Sequence, residues 1–375
     1  MLKIGIIGCG KIADQHAEQI QRIPGCEIVG VCDSEELMAK QMYERFPVGH
    51  WFNDVAKLLE VSRPDVVHIT TPPHSHFALG KLCLEAGSNV YIEKPFTVNT
   101  AEAEELIEIS KEKNLKLTVG HNAQFTHAAI RMRELIGQGF LGNPPVHMES
   151  YYCYNFADQS YAKALLGDRQ HWVRKLPGKL LHNIISHGIS KIAEFFPGDS
   201  PDVIAHGSTS PLLRSINEPD IVDEVRVIIS DKSGTTAYFT FSSQISPPIR
   251  QFRIYGRENS LVIDDDNQTL IRVNGKQYKS YLNQFVPPYD YAKQYMVNLR
   301  INMMKFLRAD FHNDAGMKYL IESFYRSVRD NAPLPISYRE ILLTSRIMDA
   351  IFHQLNSSRA IGRYELMEAG EGANG

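Results

Sequence analysis

The residues best placed to do chemistry stand near the start of the chain. Gly8 and Gly10 follow an apolar run, Ala13 comes three positions later, and Asp33 lies twenty positions beyond Ala13. That spacing suits the diphosphate of a dinucleotide. Gly8 permits a tight turn, Gly10 lets the backbone approach a pyrophosphate, and Ala13 lets the next helix pack close to its strand. Lys11 and Ile12 begin that helix, whose free N–H groups face the phosphates. Asp33 sits where a carboxylate accepts hydrogen bonds from the adenosine ribose hydroxyls and repels a 2′-phosphate, which favours NAD. Ser34 beside it could tolerate a phosphate, so NADP stays open. Two further segments belong with these: Thr70 through His76, with Thr71, Pro72 and His76 as candidate cofactor contacts, and Glu93-Lys94-Pro95. Each follows a short apolar run that reads as a parallel strand, and ligands of open α/β sheets bind at the carboxyl ends of such strands.

Only a parallel sheet can bring these segments together, and the first 120 residues carry its pattern. Strands are expected at 3–7, 27–32, 66–70, 89–92 and 116–120, alternating with helical periodicity at 12–22, 35–46, 75–85 and 100–111. Asn99 and Glu102 form a capping box that opens the last of these helices. Strands alternating with helices imply a doubly wound α/β sheet covered on both faces. After Gly139 the rhythm changes. Residues 145–155, 202–210, 224–230, 235–242, 249–255, 261–264 and 270–273 read as strands, several joined by turn signals such as Asn274-Gly275. The second half is therefore α+β, with a large and mostly antiparallel sheet. Helices are expected at 180–196, 317–329 and 338–355. The expected organisation is a dinucleotide-binding domain over 1–121, a substrate-binding and oligomerisation domain over 122–364, and a flexible tail over 365–375 with little to bury.

The bulk numbers narrow the class. A chain of 375 residues exceeds what one hydrophobic core usually serves, and 43% hydrophobic with 22% charged residues is the composition of a soluble globular protein. A net charge of −3 exerts no global pull toward nucleic acid or anionic membrane. No apolar run approaches the ~18 residues of a membrane span, and the chain enters a strand directly, so the cytoplasm is the simplest reading. Cys9, Cys26, Cys32, Cys83 and Cys153 have no C-x-x-C spacing and read as small hydrophobes. No metal site is expected.

The glycine fingerprint, Thr70 through His76 and Asn89 through Phe96 together resemble the Gfo/Idh/MocA family of oxidoreductases, whose glucose-fructose oxidoreductase and inositol dehydrogenase members carry Glu-Lys-Pro at the third place. The resemblance extends over nearly the whole chain. It implies a Rossmann domain followed by an antiparallel substrate domain, and it places Lys94 beside the nicotinamide and the substrate. A lysine that helps remove a hydroxyl proton needs its pKa lowered, which burial against the cofactor could accomplish. Glu93 would then be structural or orient Lys94. Family members also carry Asp-x-x-x-His on a helix of the second domain, which matches Asn183 through His187 here. His187 is thereby implied as the general base. Asn183 departs from the pattern: an amide cannot accept a proton at neutral pH, so its implied role is to orient a substrate hydroxyl or the imidazole. Some relatives acting on nucleotide-linked uronic acids also have asparagine there. Ser190 replaces an acid often found three residues after the histidine, and only Pro177-Gly178-Lys179 remains of a glycine-rich run. Asn122, in the crossover to the second domain, is a substrate contact or a turn residue.

Residues 161–191 hold Lys163, Arg169, Arg174, Lys175, Lys179 and Lys191 against Asp168 alone. This local excess suits an anionic substrate, a phosphorylated, carboxylated or nucleotide-linked sugar, or it is a solvated face. Arg174 and Trp172 are the candidate contacts, Trp172 by stacking on a ring or else as a core residue. The implied activity is hydride transfer between nicotinamide and a secondary alcohol of a sugar-like molecule. Two alternatives remain: a glycosidase or epimerase with transient redox, and a non-catalytic dinucleotide-binding regulator. The exposed face of a large antiparallel sheet also suggests a homo-oligomer.

Overall fold

The computed structural model describes residues 1–156, 166–311 and 315–371. Its first sheet has six strands, β1 (Leu2–Ile7), β2 (Cys26–Cys32), β3 (Val48–Phe52), β4 (Val66–Ile69), β5 (Asn89–Ile92) and β6 (Leu117–Val119), in the order β3-β2-β1-β4-β5-β6. Every pairing is parallel. The order reverses between β1 and β4, which opens a crevice at their carboxyl ends. Helices α1 (Lys11–Gln21), α2 (Glu36–Arg45), α3 (Val55–Ser62), α4 (His76–Glu85) and α5 (Thr100–Glu112) cover the sheet. At α5 the forward half of the expected box forms, Asn99 Oδ1 accepting from the Glu102 amide at 2.9 Å, while the Glu102 carboxylate reaches back to the amide of Val98, one residue before the cap. The pattern does not anticipate β3 or α3. β3 is an edge strand with Gly49 and His50 exposed, so it lacks a buried alternation to read. α3 does carry a readable start signal, since Asp54 caps it by accepting from the Ala56 amide at 2.8 Å.

Helix α6 (His127–Gly137) leads to the second sheet of seven strands. These are β7 (His147–Asn155), β8 (Asp202–Ser208), β9 (Glu224–Ser230), β10 (Thr236–Ser242), β11 (Gln244–Tyr255), β12 (Asn259–Asp264) and β13 (Thr269–Asn274), ordered β13-β12-β11-β7-β10-β9-β8. All pairs are antiparallel except β10 with β7. β11 starts five residues earlier than expected; Pro247 and Pro248 mask its opening, and the register is irregular there. Helices α7 (Lys179–Ile184), α8 (Ser186–Phe195) and α9 (Pro211–Ser215) pack on the second sheet. One helix is expected at 180–196, but the structure breaks it at Ile185.

Three helices close the chain: α10 (Leu282–Leu307), α11 (Ala315–Asp330) and α12 (Tyr338–Glu371). The pattern misses α10 because Pro287 and Pro288 read as a break and only Asn298 on it is buried. Its work is polar. The Asn298 amide pairs with both the N–H and the C=O of Leu270, at 3.2 and 2.9 Å, and Gln294 does the same at Arg272, at 2.8 and 3.1 Å. Side chains thus occupy the open edge of β13. α11 belongs with the first core: Met317, Leu320, Ile321, Phe324 and Tyr325 are buried among Ile4, Ile20 and Ile69. α12 starts in that core with Ile341 and continues into the second with Ile347, Ile351 and Phe352. The chain therefore returns to the first sheet late, a crossing that a division at residue 121 does not anticipate. α12 carries helical backbone through Glu371, into the stretch expected to be a tail. Cys9, Cys32, Cys83 and Cys153 are buried and unpaired. Among the described residues no helix is long and apolar enough to cross a membrane.

Candidate active site

The glycine turn at the end of β1 is built as its spacing requires. Gly8 has φ +92°, and a Cβ on it would lie 2.8 Å from the Thr71 methyl and 2.9 Å from the Thr70 carbonyl carbon. Gly10 differs: its φ of −77° suits any residue, and a Cβ there would meet nothing within 4 Å. That open space lies over the start of α1, which has no side-chain cap to occupy its first N–H groups. Free donors beside such an open cradle fit a dinucleotide diphosphate. Asp33 follows β2 and ties the turn down, one carboxylate oxygen accepting from the Cys9 amide at 2.7 Å and the other from the Glu35 amide at 2.9 Å. A carboxylate retains lone pairs for further donors after two such bonds. Lys11 is exposed, while Ile12, Thr71 and Pro72 are half-buried.

His76 is fully buried, which sets it apart from the crevice contacts expected beside it. Its Nε2 lies 2.8 Å from the Thr71 carbonyl and its Nδ1 2.9 Å from the Pro95 carbonyl. The imidazole is a strut between two turns. Burial lowers its pKa despite those carbonyls. The Lys94–Pro95 peptide it supports is cis.

Lys94 leaves the end of β5 and reaches the second half of the molecule. Its Nζ donates to the Asn183 carbonyl at 3.0 Å and lies 3.4 Å from the Asn183 Oδ1. Asn183 stands in the last turn of α7, where carbonyls lack an in-helix donor, so the break at Ile185 offers this oxygen to the amine. Burial pushes the Lys94 pKa down, against the pull of Glu93. Lys94 and His187 both line a cavity of about 270 Å³, together with Ile12, Glu93 and Asn122. Burial drives the His187 pKa well below 6.5, and the charges of Lys94, Lys191 and Arg250 push in the same direction. Its imidazole is therefore neutral, and among the described residues its Nδ1 has no hydrogen-bond partner. A neutral base and a depressed amine facing one cavity can take and return a hydroxyl proton.

The far wall comes from residues that the motifs do not point to: Tyr152 and Tyr154 on β7, Arg250 on β11, and Asp265 and Gln268 between β12 and β13. The Tyr152 ring lies 5.3 Å from that of His187. Asp265 pairs with Lys191, which follows His187 by one helical turn. The alternation of Tyr152 and Tyr154 was the available signal, but a tyrosine pair on a strand reads first as core.

Other expected contacts lie elsewhere. Arg174 forks onto Glu218, its Nη1 at 3.0 Å from Oε2, and Trp172 packs on the second core; neither lines the cavity. Arg174 and Lys191 each have a carboxylate partner from a distant part of the chain, so these two charges of the local positive excess are matched in the fold. Lys163 lies outside the described residues. His182 is buried with its ring stacked 4.8 Å from Phe352. A larger cavity of about 420 Å³ between α6, β13 and α10 contains none of the expected residues.

Comparison with known proteins agrees with this architecture. Residues 2–121 match the oxidoreductase family with an NAD-binding Rossmann fold, and residues 129–262 match the GFO/IDH/MocA C-terminal domain. The chain is 29% identical over 145 residues to a myo-inositol 2-dehydrogenase of Thermotoga maritima, covering 39% of this chain and 43% of that enzyme. It thus spans less than half the length of that relative. With a UDP-N-acetylglucosamine 3-dehydrogenase of Acidithiobacillus ferrooxidans it shares 26% identity over 72% of this chain and 76% of the enzyme. The WlbA dehydrogenase of Bordetella pertussis, crystallised with NADH and UDP-GlcNAcA, superposes with a TM-score of 0.76 over 95% of this chain and 96% of that one, at 15% identity. That last likeness shows the fold. With both halves matched in order, the chain belongs to the Gfo/Idh/MocA family of oxidoreductases.

Proposed function

We propose that the protein is a nicotinamide-dependent dehydrogenase acting on a secondary alcohol of a sugar derivative, with a nucleotide-linked sugar as the first class to try. The observation that carries this reading is the meeting of Lys94 and His187 at one cavity, beside Ile12 of the glycine turn. A nicotinamide bound there would exchange the hydride. The chain's own residues handle the rest. Lys94 and His187 hold and move the hydroxyl proton, Asn183 fixes the amine, and Asn122 and Asp265 accept hydrogen bonds from substrate hydroxyls. Asp33 favours NAD over NADP. The nucleotide-linked class is supported by the Acidithiobacillus relative, which aligns over most of both chains.

The test is reduction of NAD, and separately of NADP, in the presence of nucleotide-linked, phosphorylated and neutral sugars. Turnover is expected with NAD, and Lys94→Ala and His187→Ala should each lose about 10²–10⁴ in kcat. Parental turnover in both variants would sink the assignment of the proton chemistry. Substrate cleavage or epimerisation without net NADH would favour transient redox, and tight cofactor binding without turnover would favour a regulator.

A homo-oligomer joined through the outer face of the second sheet is part of the same reading. Ile204, Ile228 and Tyr238 stand exposed there by 64%, 47% and 49%. Sedimentation should show a dimer or larger, and Ile228→Lys should shift it toward monomer.

A further inference from the structure

Behind Lys94 lies a line of buried polar groups that the proton chemistry does not use. His16 on α1 and His68 on β4 are both fully buried, as is Tyr325 on α11. The two Nδ1 atoms are 2.7 Å apart, His16 Nε2 is 2.9 Å from Glu93 Oε1, and His68 Nε2 is 2.7 Å from the Tyr325 hydroxyl. The second Glu93 oxygen accepts from the Lys94 amide at 3.0 Å. Among the described residues no group of three His, Cys, Asp or Glu could hold a metal ion, so these short distances are hydrogen bonds.

We propose that Tyr325, His68 and His16 form a directional hydrogen-bond chain ending on Glu93, in which His16 is a positioning residue that holds the carboxylate anchoring Lys94. The direction follows from counting protons. An ionised Glu93 can only accept, so His16 Nε2 carries hydrogen. A neutral His16 then accepts at Nδ1, which obliges His68 to donate from Nδ1 and accept at Nε2. Tyr325 donates to that nitrogen. Every donor has an acceptor, and all bonds point toward Glu93. In the reverse arrangement a doubly protonated His16 donates to His68, His68 donates to Tyr325, and the tyrosine hydrogen has no acceptor among the described contacts. Leaving it buried and unpaired is costly.

The surroundings agree. Burial alone would raise the Glu93 carboxyl, but the hydrogen bond from His16, the Lys94 charge and the Lys94 amide work against it, and the pKa lies below the ordinary value. Burial keeps His68 neutral, and the ring of Tyr91 stacks on it at 4.6 Å and 7°. Gly120 leaves room for the carboxylate, since a Cβ there would lie 2.6 Å from Glu93 Oε1. The chain ties α11, which returns late in the sequence, to the residue before the active amine. Because every member is buried, aligned bonds of this kind polarise one another and resist rotation of the carboxylate.

This inference rests on Lys94 as the amine at the reacting alcohol, but its first test does not. Imidazole nitrogens of the ¹⁵N-histidine-labelled protein should show at neutral pH an Nε2–H tautomer for His16 and an Nδ1–H tautomer for His68. Nε2–H on His68, or two protons on His16, would overturn the chain. The second test uses turnover. His16→Leu should lower kcat about 10- to 100-fold, the scale of a 1 Å misplacement, with cofactor affinity within about twofold. His16→Gln, whose amide can still donate to Glu93, should recover most of the loss. Equal kcat in parent and His16→Leu overturns the positioning role. If the leucine variant does not fold, Tyr325→Phe must still lower kcat, and an unchanged value there has the same meaning. Absence of turnover in the parent, with the expected tautomers present, would instead refute the dehydrogenase reading and leave the chain in place.

Discussion

The glycine crevice and the wall opposite it are built in different ways. In the crevice each functional group follows a strand by a few residues and is fixed by local backbone: Gly8 by its positive φ, Asp33 by the Cys9 and Glu35 amides, Lys94 by its place after β5. The wall has no such motif. Tyr152, Arg250 and Asp265 come from β7, from β11 and from the turn after β12, and only the register of a seven-stranded sheet brings them to one cavity. A short motif can therefore encode a phosphate cradle, while substrate recognition depends on long-range pairing. Three perturbations separate the two regions.

The largest acts on the seam between them, where His121 and His182 line a small cleft with Pro95, Ile341 and Thr344. Burial lowers His121 to about 3 and His182 to about 4 from 6.5. Both are therefore neutral when folded but take up protons when unfolded below pH 6.5. A depressed folded pKa gives stability that is whole above the unfolded value and lost as pH falls toward the folded one. Each such group costs about 1.4 kcal/mol per pH unit in that window, so the pair removes about 3 kcal/mol per unit. Urea midpoints should drop steeply between neutral pH and pH ~5, and His182→Gln should flatten the slope. Equal midpoints would show that the seam does not carry the burden.

A pair of substitutions tests the crevice alone. Gly8→Ala must force a Cβ against Thr71 at a positive φ, so it should lower both stability and cofactor affinity. Gly10→Ala has ordinary φ and open space. It should leave the melting temperature unchanged or slightly raised by loss of unfolded-state freedom, yet weaken NAD binding about tenfold or more by filling the cradle. Titration with NADH beside a thermal melt distinguishes them; equal affinity loss without any stability difference would contradict the strain argument for Gly8.

How much could be read from the sequence follows the same division. The parallel sheet, Gly8, Gly10 and the antiparallel character of the second half were visible because period and turn chemistry are local. Lys94 and His187, which the family resemblance picked out, do meet at one cavity, although the helix carrying His187 breaks at Ile185. His76 has the right position in sequence but faces two carbonyls inside the core. Arg174 looked suited to an anionic substrate because nothing local shows that Glu218, 44 residues away, claims the guanidinium. Helix α10 was hidden by two prolines and by a buried surface that is an amide ladder rather than an apolar stripe.

The smallest effect tests the wall. Asp264, Asp265 and Asp266 are consecutive, and the outer two are spent on local structure. Asp264 accepts from Gln251 Nε2 at 3.0 Å and from the Asn267 amide at 2.9 Å, while Asp266 takes the Arg250 Nε at 2.6 Å. Asp265 lines the cavity, gives one oxygen to Lys191, and has no donor for the other among the described contacts. Burial raises its pKa, and Lys191 works against that shift. A buried carboxylate oxygen without a donor is costly, and a substrate hydroxyl is the donor the cavity can admit. Asp265→Asn keeps the shape but can present an N–H where the acceptor stood. It should lower kcat/KM about tenfold, mostly through KM, and narrow the preference for the substrate over an analogue lacking the hydroxyl, since discrimination of that kind depends on leaving a buried partner unpaired. NAD affinity should stay unchanged because the cradle lies on the other side. If the variant discriminates the analogue as sharply as the parent does, Asp265 only balances Lys191, and the tyrosines with Gln268 must carry recognition.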